Sequence, residues 1–176
     1  MKISMHTMAS DSFVGGLESL AKLLDKGAAF ATAADVDLVN ARLAPDMFPL
    51  AQQVQFVCFN AKDSVSRLTG RGPAPSGQPG MSFEEFQADI ADAIAFVRAI
   101  PAADYEGAEE RDCSITPANA GVVIRMDGLV FLRGWALPHF YFHLVTAYDI
   151  MRHKGVALGK PDFVSWIAPH VELLKI

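Results

Sequence analysis

The sequence predicts an all-α protein, an up-and-down four-helix bundle with a small β-hairpin between the third and fourth helices. Three observations lead to this fold. Apolar residues recur at three- and four-residue spacing in three long segments. A fourth segment is helical in pattern but almost uncharged, and a short stretch before it contains two β-prone runs separated by turn residues. Helices with one apolar face each bury it by packing together around a shared core.

The first two helices are predicted over residues 7–31 and 47–68, with an irregular connection between them. Asp46 is the predicted N-cap of the second helix, and Pro49 is tolerated because it lies in the first turn. The second helix has an aliphatic face for the core. On roughly the opposite face it carries three phenylalanines, Phe48, Phe56 and Phe59. This helix therefore has a second apolar surface that must be covered.

A loop rich in glycine and proline, residues 70–80, leads to the third helix. Ser82 and Glu85 have the spacing of a capping box, and Pro101 ends the helical pattern. The segments Arg111–Thr116 and Val122–Met126 are the predicted strands of the hairpin, joined by turn residues 117–121.

The fourth helix is predicted to start after Asp127, its N-cap, and to end at Gly155, which suits a left-handed C-terminal cap. Pro138 lies inside this helix, where it removes one backbone hydrogen bond and should kink the axis. His139 and His143 follow at once. They are four residues apart, so both rings lie on one helix face, about 5–6 Å apart at Cβ. They can share one ligand.

Composition limits the function classes. The chain of 176 residues is expected to form one domain, residues 1–176, and 51% of its residues are hydrophobic. The net charge of -5 argues against nucleic acid and anionic membranes as partners. We find neither a signal-peptide core nor an apolar run long enough to span a membrane, so we expect a cytoplasmic protein. Cys58 and Cys113 lack ligand spacing and are expected to be free, structural thiols.

Several short motifs together resemble one bacterial family, the domain of unknown function 1993, a branch of the DinB/YfiT-like metalloenzyme superfamily. The resemblance covers nearly the whole chain. It is carried by LAPDMFPL at 43–50, PHFYFH at 138–143, AY at 147–148, RH at 152–153, GV at 155–156 and GKPDF at 159–163. The family has no established activity to carry over, so the catalytic residues, substrate and reaction stay unknown.

The superfamily resemblance implies a DinB-like bundle that binds Ni or Zn through one histidine on helix 2 and an HxxxH pair on helix 4. His139 and His143 match the pair. The helix 2 histidine is absent, and the resemblance places Gln55, or alternatively Gln52, in its position. Two imidazoles and a neutral amide form a weaker ligand set than three histidines.

Two functions remain open. In the first, the protein is a metal-dependent enzyme or a degenerate relative, with a small-molecule ligand in a histidine-lined pocket of the bundle. In the second, it is a non-catalytic binding or stress-associated bundle without metal. Helix 4 is apolar nearly all round and helix 2 has two apolar faces, so we expect a homodimer built on their aromatic residues.

Overall fold

Four long helices form the computed structural model, which describes residues 4–117 and 121–172. We number them α1 (Ser12–Ala34), α2 (Leu50–Leu68), α3 (Phe83–Ala99) and α4. Helix α4 is continuous through three parts, which are Gly128–Phe131, a π-helical turn Leu132–Ala136, and Leu137–His153. Helix α1 likewise extends from a π-helical turn, Thr7–Asp11. The predicted four-helix architecture is consistent with these elements.

The helix order differs from the predicted up-and-down arrangement. Helix α1 is antiparallel to α3, since Glu18 pairs with Arg98 and Asp25 with Gln87. Helix α2 is parallel to α3, because Lys62 pairs with Asp92 while Cys58 lies near Asp89 one turn earlier in each helix. Helix α4 packs against both α1 and α2.

Helix α4 is parallel to α1, with Phe13 against Phe140 near one end and Gly27 against Met151 near the other. It is antiparallel to α2, since Gln53 meets His143 and Leu68 meets Gly128. The helices therefore run up, down, down and up in chain order, and the prediction of strict alternation is wrong.

The connection between α2 and α3 explains this order. Residues 69–82, about 14 in number, can extend to roughly 45 Å, whereas a helix of 19 residues such as α2 is only about 28 Å long. The loop runs back along α2: the Ala74 N–H donates to the Asp63 carboxylate over 2.9 Å, and the Gln55 amide donates to the Gly77 carbonyl over 3.3 Å. Helix α3 can therefore start at the same end of the bundle as α2.

The core is continuous and consists of apolar side chains from all four helices. Helix α1 approaches α4 closely because it has glycine where the two cross. The ring of Phe140 occupies the space that a side chain at Gly16 would need. Phe140 also packs edge to face on Phe13, with ring centroids 5.1 Å apart. Close approach by a neighbouring helix is a common reason for a glycine inside a helix.

The predicted β-hairpin is not confirmed. In residues 4–117 and 121–172 no strand forms, and two isolated antiparallel bridges link the segments, Asp112 to Asp127 and Ile115 to Ile124. Three backbone hydrogen bonds of 2.9–3.0 Å hold this pair together. Part of the predicted turn, residues 118–120, lies outside the described residues. Two bridges separated by unpaired residues do not make a ladder, so β-prone composition alone is not sufficient here.

Helix starts were predicted with mixed success. Ser82 caps α3 by accepting from the Glu85 N–H, and Asp127 caps α4 by accepting from the Val130 N–H over 2.8 Å. Asp46 is not the N-cap, because α2 starts at Leu50, directly after Pro49. The first N–H groups of α2 donate instead to backbone carbonyls of the preceding connection, Leu50 to Ala41 and Ala51 to Val39.

The C-terminal segment packs on the outside of α1. A short helix α5 (Lys160–Phe163) and a 3₁₀ helix (Ser165–His170) follow α4. Asp162 pairs with Lys26, Ser165 bonds to Ser19, and Trp166 lies on Gly15. The segment thus covers α1 and leaves the α2/α4 side open. Among the helices that the structure describes, none has the length and apolarity needed to cross a membrane.

Candidate histidine site

His139 and His143 lie on the side of α4 that faces α2, and both are partly buried. The π-helical turn Leu132–Ala136 ends two residues before Pro138. A π turn changes the backbone hydrogen-bonding register, and such turns are frequent at functional sites. The helix is therefore irregular close to Pro138, as a widened turn that ends three residues before His139.

Backbone hydrogen bonding fixes the ring of His139. Its Nδ1 lies 3.0 Å from the carbonyl oxygen of Trp135, a residue of the π-helical turn. A carbonyl can only accept, so Nδ1 carries the proton and donates it. The imidazole also stacks on the Trp135 indole, with centroids 4.0 Å apart and planes inclined by 26°. These two contacts hold His139 in one tautomer and one orientation.

A side chain of α2 fixes the ring of His143. Its Nδ1 lies 2.8 Å from Oε1 of Gln53, which is almost fully buried. The Gln53 amide nitrogen donates to the carbonyl of Phe48 over 3.1 Å. Because the nitrogen faces a carbonyl, the oxygen must face His143, and Nδ1 of His143 must carry the proton. This contact joins a histidine of α4 to a polar side chain of α2.

Both histidines therefore present the same chemistry. Each uses Nδ1–H as a donor, and in the neutral ring this leaves Nε2 as the acceptor. Neither Nε2 has a hydrogen-bond partner within the described part of the chain. Metal-binding histidines characteristically donate the other ring N–H to an oxygen, which sets the tautomer and the ring direction. The pair has hydrogen bonds of this kind.

Burial keeps His143 neutral. Loss of solvent, and to a smaller extent charge repulsion from the neighbouring His139, lowers the pKa of its imidazole to about 4. At neutral pH a proton does not compete for Nε2 of His143. A ring with such a low pKa is a poor general base near pH 7 but a suitable neutral ligand for a metal ion.

Aromatic rings surround the pair and reach the surface. Phe48 packs edge to face on Phe56, with centroids 5.3 Å apart, and Phe56 lies 4.6 Å from the ring of His143. Phe142 contacts His143 from the other side at 5.2 Å. We call the rings of these three phenylalanines, Phe48, Phe56 and Phe142, the aromatic surface. Its two ends are open, since Phe48 is 57% and Phe142 62% exposed.

The predicted third member, Gln55 or Gln52, is not the glutamine that meets the histidines. The oxygen of Gln55 accepts from Gln52 over 2.6 Å, and its nitrogen donates to Gly77 and Ser76 of the crossover loop. Gln55 and Gln53 are two residues apart on a helix, which separates their directions by about 200°. Gln53 therefore faces α4, and Gln55 faces the loop beside α3.

Other groups in the described residues do not complete the site. In residues 4–117 and 121–172 no three His, Cys, Asp or Glu side chains lie close enough to hold a metal together. Cys58 and Cys113 are free and buried as expected, and burial raises the pKa of the Cys58 thiol to about 12. A thiol with so high a pKa is not a nucleophile near neutral pH.

The predicted histidine-lined pocket is not visible as a cavity in the described residues. A cavity of about 610 Å³ lies elsewhere, against the start of α1, and is lined by residues that include Arg98, Tyr141 and Trp166. Neither histidine lines it. The histidine pair lies on an open face. Its geometry, rather than the size of a cavity, makes it the candidate functional site.

Comparison with known proteins agrees with the helical architecture. The family model of the domain of unknown function DUF1993 matches residues 5–164. The chain belongs to this family. It is also similar to a crystal structure described as a DinB family member protein from Shewanella denitrificans, with 33% sequence identity, 91% of each chain covered and a TM-score of 0.82. Comparison with curated proteins gives no match. The DUF1993 chain therefore has a DinB-like fold.

Proposed function

We propose that this DinB-like protein binds a divalent metal, Ni or Zn, through Nε2 of His139 and His143, as a metal-dependent enzyme or a degenerate relative of one. The observation that carries the proposal is the matched state of the two rings. Both Nδ1 atoms donate to oxygens, at 3.0 and 2.8 Å, so that in each neutral ring Nε2 is the nitrogen with the lone pair. Two adjacent neutral imidazoles are suitable ligands for borderline metals such as these.

Two histidines do not complete the coordination of a metal ion, which matters for function. Two imidazoles leave coordination positions for water, for a substrate atom or for a group outside the described residues. A bound metal of this kind would supply Lewis acidity to a carbonyl or lower the pKa of a bound water. The chain's own contribution is to hold both rings and to line the position with aromatic surface, which favours a small ligand with an apolar part.

Metal titration tests the proposal. The protein is purified without a His tag, stripped with a chelator, and titrated with Zn²⁺, Ni²⁺ and the spectroscopic probe Co²⁺. We expect one ion per chain, and loss of binding in His139→Ala and in His143→Ala. His153→Ala is the matched control, because His153 is exposed at the end of the same helix. Equal binding by wild type and His143→Ala would reject the site.

A second candidate function has its own observation. The aromatic surface leaves two phenylalanines open to water on one face, and Val145, exposed on the same helix as Phe142, adds to it. This favours a binding bundle whose α2/α4 face contacts a second copy of the chain in a twofold homodimer. An interface of this kind should bury on the order of 1,500 Å² in total.

Light scattering at low micromolar concentration tests the dimer. We expect a mass near twice the 19.0 kDa of one chain. Phe142→Ser should shift the protein to the monomer, since it places a hydroxyl in the apolar contact. Val171→Ser is the control, because Val171 is equally exposed on the C-terminal segment. A wild-type mass of a single chain would refute the dimer.

A further inference from the structure

The two histidines are oriented by different kinds of partner. His139 depends on a backbone carbonyl, which no side-chain substitution removes. His143 depends on one side chain, Gln53, which belongs to another helix. The sequence gives no sign of this dependence, because the two residues are 90 positions apart. The state of the second ring is therefore separable from that of the first by mutation.

Three features of Gln53 allow it to orient the ring of His143. It is 2% exposed, so water does not compete for its amide. Its nitrogen is bound to the Phe48 carbonyl at 3.1 Å, which prevents the amide from turning over. Its oxygen lies 2.8 Å from Nδ1 of His143, a good hydrogen-bond distance. A buried, pre-oriented acceptor of this kind selects one imidazole tautomer.

We infer that Gln53 is a positioning residue, which holds His143 in the Nδ1–H tautomer and thereby keeps Nε2 as the nitrogen that faces a ligand. The value of a free Nε2 to the protein rests on the proposed function. The test of the tautomer does not, because it needs no metal. Without the acceptor, the proton can move to Nε2, and a protonated Nε2 cannot bind a metal. The ring is also free to rotate, although Phe56 and Phe142 still pack against it.

Nitrogen-15 NMR of histidine-labelled protein reads the tautomer directly and without any metal. The His143 signals are assigned by their loss in His143→Ala. Near pH 7 we expect wild type to have a proton on Nδ1 of His143 and none on Nε2. Gln53→Leu should move a large part of that proton population to Nε2. Gln53→Glu keeps an oxygen acceptor at the same position, so Nδ1 should stay protonated.

Gln55→Leu is the matched control. Gln55 lies on the same helix and is also buried, but its amide bonds to the crossover loop and not to His143. We expect its tautomer spectrum to equal that of wild type. Circular dichroism melts confirm that each variant is folded. If Gln53→Leu is folded and keeps the Nδ1–H tautomer, or if wild type itself has Nε2–H, the inference is overturned.

A metal arm separates this inference from the proposed function. If wild type binds Zn²⁺, Gln53→Leu should bind it about 10- to 100-fold more weakly, the usual effect of losing an outer hydrogen bond, and unchanged affinity would oppose a positioning role. If wild type binds no metal but the tautomer shifts in Gln53→Leu, the proposed metal function fails while Gln53 still positions His143. The two failures are therefore distinguishable.

Discussion

The two long faces of α4 differ in kind. The face toward α1 consists of Phe140, Leu144, Ala147 and Met151, all fully buried and wholly apolar. The face toward α2 contains His139 and His143, which are partly buried and joined to oxygen acceptors. The first face stabilises the bundle by burying apolar area. The second places His143 in a partly apolar surrounding that disfavours its charged form.

Removing the apolar face should have the largest effect. Phe140→Ala leaves a cavity between Phe13 and Gly16, and we expect a loss of about 3–5 kcal/mol in the free energy of unfolding. Denaturant titration measures it. Phe142→Ala, two residues away, is the control. In the single chain its ring is 62% exposed, so at a protein concentration low enough to keep the chain monomeric the change should stay within about 0.5 kcal/mol. Equal losses in the two variants would show that the faces do not differ.

The polar face should instead give a pH-dependent stability. The pKa of His143 is about 4 in the folded protein, below its ordinary value of 6.5. Above pH 6.5 the ring is neutral in both the folded and the unfolded state, so its ionisation does not change the free energy of unfolding. As the pH falls from 6.5 to about 4, the unfolded chain takes up a proton that the folded protein does not, so stability is lost over this window. Below about pH 4 the loss levels off.

The shift of the His143 pKa sets an upper limit of about 3 kcal/mol, and partial exposure should reduce the loss to about 1–2 kcal/mol. We measure it as the difference between wild type and His143→Gln in urea titrations at pH 8 and pH 4.5, which cancels the titration of other groups. Wild type should lose more stability than the variant. A difference that does not change between the two pH values would contradict the pKa shift.

Local patterns of the sequence predicted local features. The spacing of His139 and His143 placed both on one face, and Asp127 and Ser82 were correctly identified as caps. Each of these depends on residues within one helix turn. The hairpin prediction also used local composition, but a strand requires a continuous ladder with its partner, and only two bridges form in the described residues.

Relations between helices were not predictable in the same way. The direction of α3 depends on how the loop 69–82 runs, and that loop is long enough for either direction. Which glutamine meets His143 depends on the rotation of α2 about its axis. Because α2 has apolar residues on two faces, its sequence does not define which side turns toward α4. Gln53 became identifiable only when both helices were in place.

The smallest expected effect concerns the opposite side of the bundle, where charged groups join the helices. Arg98 of α3 and Glu18 of α1 lie 2.6 Å apart, and their side chains are 61% and 42% exposed. Water and ions screen such a pair, so Arg98→Ala should cost less than about 1 kcal/mol in the free energy of unfolding. A double-mutant cycle with Glu18→Ala at low and high salt isolates the coupling, which should vanish at high salt. A coupling as large as the Phe140→Ala loss would mean that this exposed ion pair, rather than the apolar face of α4, holds the helices in place.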